Sequence, residues 1–357
     1  MAAIPDPLAA IRWAPARPIM TVVGCHAGGE IGNVIVGGVE APRGATVFEQ
    51  MQAMAADDSV RKLLLHEPRG SVAVHSNLVV PSTRPDCAFG YIIMEPTEYP
   101  AMSGSNTICV ATVLLETGMV EMREPVTTVR LEAPGGPIDV TAGCRSGKVE
   151  WVEFENVPCF ATRIDAPLDV DGLGTLAVDV AFGGMWYAIA DARALGFALE
   201  PSEARDLSRV GELIRVAARE QLPCVHPMNP AIEGVSIVQI AEPWQGVGAV
   251  SKNAVVVAPG RLDRSATGTG LSARIAALHE RGLMGAGDSM THASVIGSRF
   301  DGRIVREVAL AGTRAIVPAI RGSAWITGVT QVLVDPTDPF PEGYLLSDTW
   351  PGDDVQR

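Results

Sequence analysis

Apolar positions in this chain fall in short runs that glycine and proline interrupt again and again. Runs of about four to six residues, β-branched and often alternating, predict strands because each is bounded by turn formers. They lie at Met20–Val23, Asn33–Val36, Val149–Phe154, Trp186–Ala190, Ser236–Ile240, Ala254–Ala258 and Gln331–Val334. Longer stretches with helical spacing predict helices at Val47–Ala55 with an extension toward Leu65, at Asn106–Thr117, at Pro201–Leu222 and at Leu271–Arg281. Pro201–Leu222, with its Glu/Arg pairs, reads as a solvated outer face. The sum is an α+β chain with much sheet.

Two of the helical stretches repeat one another. Ser103-Gly104-Ser105 leads one and Thr267-Gly268-Thr269 the other. Counted from Ser103 and Thr267, Leu follows at the same distance (Leu114, Leu278), as do Glu (Glu116, Glu280) and Gly (Gly118, Gly282). A hydroxyl residue followed by glycine is ordinary N-cap chemistry, and one such match carries little. Two in register, one in each half of the chain, point to a duplicated domain. The glycine after each is a natural C-cap.

Composition narrows the class. The 357 residues are 47% apolar and 19% charged, with 37 glycines, which excludes a disordered chain and suits two compact domains rich in turns. A net charge of −13 repels phosphate backbones and anionic lipid, so nucleic acid and membrane surfaces are not expected partners. The most apolar run, Thr107–Leu115, stops at Glu116, well short of the ~20 residues a spanning helix needs. Asp6 and two early prolines break the stretch a secretion signal would need. Six dispersed cysteines (Cys25, Cys87, Cys109, Cys144, Cys159, Cys224) then read as free thiols in a reducing cytoplasm. Cys109, on the apolar stripe of its helix, reads as a core residue rather than a nucleophile.

The repeated helix starts suggest chemistry. A helix N-terminus offers unpaired N–H groups and a positive dipole end, a ready site for a carboxylate or a developing oxyanion. Two such ends facing each other could grip a small carboxylate and put one side chain on each face of its α-carbon. Other readings are weaker. Gly268-x-Gly270-x-x-Ala273 fits a loose dinucleotide fingerprint, but PGRLDRSAT separates it from the preceding strand. The six histidines show no metal-binding spacing and read as structural; His26 and His292 are the two worth following. Asp263 could cap a turn or bind substrate.

Several segments together resemble the proline racemase superfamily over almost the whole chain. They are CHAGGE at Cys25–Glu30 with Gly37–Gly38, EPRG at Glu67–Gly70, FGGMWYAIADA at Phe182–Ala192, LDRSATGTGLSAR at Leu262–Arg274 and HASVIGSRFDG at His292–Gly302. The resemblance implies two pseudo-symmetric α/β halves, each a twisted sheet around a central helix as in diaminopimelate epimerase, with the active site in the cleft between them. The expected division is 1–155 and 156–357, with the last strand crossing back to the first half. The resemblance also implies catalytic roles for Ser103 and Thr267. It implies carboxylate contacts from the backbone amides of Gly104, Ser105, Gly268 and Thr269, and contact of Asp263 with a ring nitrogen. The superfamily's racemases carry cysteine at both catalytic positions, and this chain carries neither; its trans-3-hydroxy-L-proline dehydratases have threonine at the second. Ser105 replaces a histidine common after the first catalytic pair. The implied activity is therefore cofactor-independent dehydration of trans-3-hydroxy-L-proline, with no metal. A 2-epimerase of hydroxyproline or proline and a catalytically inactive imino-acid-binding protein are the alternatives. A homodimer is left open.

Overall fold

The computed structural model describes residues 19–350; the segment weighed above as a secretion signal lies outside the described residues. The first half runs β1 (Ile19–Ala27), β2 (Glu30–Gly37), α1 (Val47–Ala56), α2 (Ser59–Leu65), β3 (Val74–Val80), β4 (Phe89–Met94), α3 (Gly104–Glu116), β5 (Val126–Ala133), β6 (Gly136–Arg145) and β7 (Lys148–Glu155). Then follow β8 (Phe160–Val170), β9 (Gly174–Phe182), β10 (Trp186–Asp191), α4 (Ala204–Gln221), the short pair β11 (Val225–His226) and β12 (Asn229–Glu233), β13 (Ile237–Ala241) and β14 (Val250–Val257). The chain ends with β15 (Arg261–Leu262), α5 (Gly268–Glu280), β16 (Ser289–Ala293), β17 (Arg299–Leu310), β18 (Thr313–Gly322) and β19 (Ala324–Leu333).

The two halves are built by the same sequence of pairings. In the first, β19 pairs β1 antiparallel, β1 pairs β2 antiparallel, β2 pairs β3 parallel, β3 pairs β4 antiparallel and β4 pairs β5 parallel. Antiparallel β5–β6 and β6–β7 complete it. In the second, β8–β9 and β9–β10 are antiparallel, β10–β13 parallel, β13–β14 antiparallel, β14–β16 parallel, and β16–β17 and β17–β18 antiparallel. β7 and β18 pair with each other and join the halves. The first half's leading strand, β1, is thus paired by β19, which follows the second half in sequence.

Within each half a central helix is enclosed. α3 is buried from Gly104 to Leu115, and its apolar side chains meet β1, β7 and β19 all round. A helix buried on every side needs no amphipathic stripe, which is why its β-branched run ICVATV can be helical. Each fully buried Ile, Val or Leu there contributes about 1.5–3 kcal/mol. α5 does the same in the second half, buried through His279. Gly118 and Gly282 close the two helices with φ of 75° and 72°, the left-handed conformation a C-cap glycine supplies. Outside, α1 and α2 cover one sheet and α4 covers the other.

Some elements differ from the pattern reading. The stretch from Val47 to Leu65 is two helices, because Asp57 ends the first and Asp58 begins the second. Pro201–Glu203 is a 3₁₀ turn leading into α4, whose buried residues Leu207, Val210, Ile214 and Ala218 make one stripe and leave the other face to solvent. The six cysteines are free and buried. Among the described residues no helix is long and apolar enough to cross a membrane, and no group of His, Cys, Asp or Glu is arranged to hold a metal ion.

Candidate active site

The loops from β4 into α3 and from β15 into α5 bring the two helix N-termini together where the halves meet. Ser103 is the N-cap of α3 and Thr267 the N-cap of α5, and neither side chain caps its own helix. Their hydroxyls are therefore available to other partners. The helix ends touch at Gly104 and Gly268: a Cβ on Gly104 would lie 2.7 Å from the Gly268 Cα. Only glycine permits that approach. Thr267 has φ 56°, ψ 108°, a strained backbone for a β-branched residue of the kind found where a site over-determines geometry.

The structure brings together in one cavity all seven residues singled out from the sequence: Ser103, Gly104, Ser105, Asp263, Thr267, Gly268 and Thr269. The cavity's volume is about 10 Å³, room for one water and less than an imino acid occupies. Thr267 donates its hydroxyl to Asp263 Oδ2 at 3.1 Å, and the Ser265 N–H donates to Asp263 Oδ1 at 2.7 Å. On the other side Asn106 Nδ2 donates to Ser103 Oγ at 2.9 Å. Asn106 is fully buried and its own Oδ1 accepts from Asn77 Nδ2 at 2.8 Å, which fixes its orientation. The two hydroxyls are thus unequal: one gives its proton to a carboxylate, the other accepts.

Behind Ser103 lies a buried charged cluster that sequence reading missed. Glu30, the last residue of the CHAGGE segment, meets Arg261 Nη1 at 2.6 Å and accepts from the Arg264 N–H at 2.8 Å. Arg261 Nη2 lies 2.6 Å from His75 Nε2, and His75 Nδ1 lies 3.2 Å from Asn106 Nδ2 and 3.5 Å from Glu95 Oε1. Burial, reinforced by Asp263, pushes the Glu30 carboxyl up to about 8 against the pull of Arg261. Burial also drives Glu95 well above the usual carboxylate range, and drives His75 well below its own, with Arg261 and Arg264 adding to the latter. His75 is neutral here. Glu95 and Tyr187 line the cavity as well, and the Tyr187 hydroxyl is 2.6 Å from Thr269 Oγ1. Tyr187 falls inside a segment that carried the family resemblance; nothing in the local sequence marks Glu95, His75 or Asn106.

The two histidines singled out from the sequence sit elsewhere. His26 accepts from the Gly29 N–H at 3.2 Å and stacks on Trp325 with ring centroids 5.3 Å apart, holding the turn between β1 and β2. His292 is fully buried on β16, its Nδ1 3.5 Å from Gln239 Nε2. Burial, with Arg274 nearby, lowers His292 to about 3 from an ordinary 6.5. An unfolded chain binds a proton below 6.5 that the folded chain refuses, so this group's contribution is present above 6.5 and is lost as pH falls toward 3. His292→Gln is expected to flatten the fall in unfolding free energy between about pH 6 and 4 by up to about 1.4 kcal/mol per pH unit, read from urea titrations at each pH.

A profile of the family described as proline racemase matches residues 22–345. The chain belongs to the proline racemase family. A hydroxyproline epimerase from Agrobacterium vitis, solved with bound trans-4-hydroxy-L-proline, is 38% identical with a TM-score of 0.89, over 95% of this chain and 98% of its own. A structure described as a probable proline racemase from Agrobacterium radiobacter K84, with bound carbonate, is also 38% identical with a TM-score of 0.89, covering 93% and 98%. A Bacillus anthracis phenazine biosynthesis protein of the PhzF family shares the fold alone, at 11% identity and a TM-score of 0.55 over 88% and 99%. The proline racemase fold thus supplies the two halves and the cleft between two helix ends.

Proposed function

We propose that this chain dehydrates trans-3-hydroxy-L-proline to Δ1-pyrroline-2-carboxylate and water. The observation that carries the reading is the inequality of the two hydroxyls. Racemisation needs an acid and a base able to exchange roles across the α-carbon. Thr267, donating to Asp263, is poorly placed to take and return a proton, whereas an elimination needs only one base.

In this reading the substrate carboxylate lies between the N–H groups of Gly104, Ser105, Gly268 and Thr269, where charge developing on it is stabilised by both helix ends. Asp263 binds the ring nitrogen. Ser103, as its alkoxide, takes the α-proton; the positive end of α3 and the Asn106 donor favour that form. Thr267, on the other face, acts as a hydrogen-bond donor or positioning group. The enamine formed then tautomerises to the cyclic imine. The substrate is a small molecule, no cofactor is invoked, and six buried free thiols support a reducing cytoplasm as the location.

Proton NMR in D2O with trans-3-hydroxy-L-proline, trans-4-hydroxy-L-proline and L-proline in separate tubes tests this. Loss of the 3-hydroxy isomer with appearance of the imine is expected. A second reading, 2-epimerisation, is favoured by the 38% identical hydroxyproline epimerase. It predicts instead deuterium at the α-carbon with inversion in the other two tubes. Silence in all three, with the ligands raising the melting temperature, would leave a binding protein.

A further inference from the structure

Elimination requires more than a base. Hydroxide is a poor leaving group, and the 3-hydroxyl departs readily only if a proton reaches it in the transition state. Ser103 and Thr267 do not offer one. Ser103 accepts from Asn106 and, as the base of the proposed mechanism, holds no proton when the step begins, and the Thr267 hydroxyl is turned toward Asp263. Asp263 is itself occupied by two donors. The Tyr187 phenol is tied to Thr269, and burial holds its proton far more tightly than an ordinary phenol's.

Glu95 is different. It follows directly on β4, in the loop that ends at Ser103, and is 6% exposed while lining the same cavity. No lysine or arginine lies within ion-pair distance of it among the described residues; its close polar partner is the neutral His75 at 3.5 Å. Three buried carboxyls, those of Glu30, Glu95 and Asp263, surround the single buried guanidinium of Arg261. Arg261 is committed to Glu30 and His75, so it does not balance all three. A carboxyl left over in such a pocket keeps its proton. Its raised affinity for that proton, from burial first and Glu98 second, agrees.

We propose that Glu95 is the general acid that delivers a proton to the departing 3-hydroxyl. The inference rests on the dehydratase reading. In the step, the Cα–H bond breaks and its proton goes to the Ser103 alkoxide. Its electron pair forms the C2–C3 double bond, the C3–O bond breaks, and the oxygen leaves as water with the Glu95 proton. The enzyme is left with a neutral Ser103 hydroxyl and an ionised Glu95. Loss of the Ser103 proton to solvent and uptake of one by Glu95 reset it once the product has left.

The test separates this role from a structural one by changing the leaving group. Trans-3-fluoro-L-proline expels fluoride, which needs far less help from an acid. Wild type, Glu95→Gln and Glu95→Asp are assayed for loss of water from trans-3-hydroxy-L-proline and for loss of fluoride from the fluoro analogue. Glu95→Gln is expected to lose about 100-fold or more in kcat on the hydroxy substrate. Its fluoride release should stay within about fivefold of wild type. Equal losses on both substrates, or no loss on either, would overturn the proposal while leaving the dehydratase reading intact. If Glu95→Gln does not fold, the same ratio is read on Glu95→Asp, where a loss confined to the hydroxy substrate is expected and equal losses overturn it. A wild type that releases fluoride or nothing, and never water, overturns the dehydratase reading and the acid with it.

Discussion

Ser103→Ala is expected to lower kcat for imine formation by about 10³-fold, within the range a positioned base contributes, and to stop α-proton exchange in D2O. KM should stay near that of wild type, because the proposed carboxylate contacts are backbone N–H groups that the substitution leaves in place. Stability should also change little. The Ser103 side chain makes no capping bond to α3, and Asn106 keeps both Asn77 and His75 as neighbours after the hydroxyl is gone. Ser103→Cys, with a more acidic group at the same point, should retain turnover. Substantial activity in the alanine variant would remove the proposed base.

Arg261→Leu is expected to cost about 3–5 kcal/mol of folding stability, measured by urea denaturation, because it leaves the buried Glu30 carboxyl and His75 without the cation they meet. Arg261 is 3% exposed and meets Glu30 and His75, each at 2.6 Å. Part of the loss is limited by Glu30 taking up a proton, which its affinity near 8 makes easy. The paired change Arg261→Leu with Glu30→Gln removes both charges and should cost clearly less than Arg261→Leu alone. If the double variant is as unstable as the sum of the two singles, the cluster is not held by this pair.

Six of the seven cavity residues were legible because the chain carries the helix start twice; Asp263 came from the family resemblance. The run from Ile108 to Leu115 is buried all round and apolar but for Thr112, and periodicity alone could not have told a buried helix from a strand there. The repeated Ser-Gly and Thr-Gly starts and the glycines closing both helices supplied what the period did not. The break at Asp57 went unread because the residues on both sides keep helical spacing. Strands such as β6 and β17 alternate buried and exposed positions with charged residues on the open face, so no continuous apolar run announces them.

The cluster behind Ser103 was illegible for another reason. Glu30 stands on β2, His75 on β3, Glu95 after β4 and Arg261 on β15, and His75 and Arg261 are 186 positions apart in the chain. Parallel and antiparallel neighbours in the first half, closed against β15 of the second, make them adjacent. A lone buried histidine in sequence is rightly read as structural until its partners are known.

The return of β19 to the first half also sets the order in which the chain can be finished as it is made. One edge of β1 waits for β19: Ile19 pairs with Leu333, so about 310 residues must be synthesised between the first partner and the second. At about 5–20 residues per second that edge stays open for roughly 15–60 seconds. An unpaired strand rich in valine is a template for association during that time. For this protein, the hazardous interval in biosynthesis ends only when the last strand has left the ribosome and closed the first half.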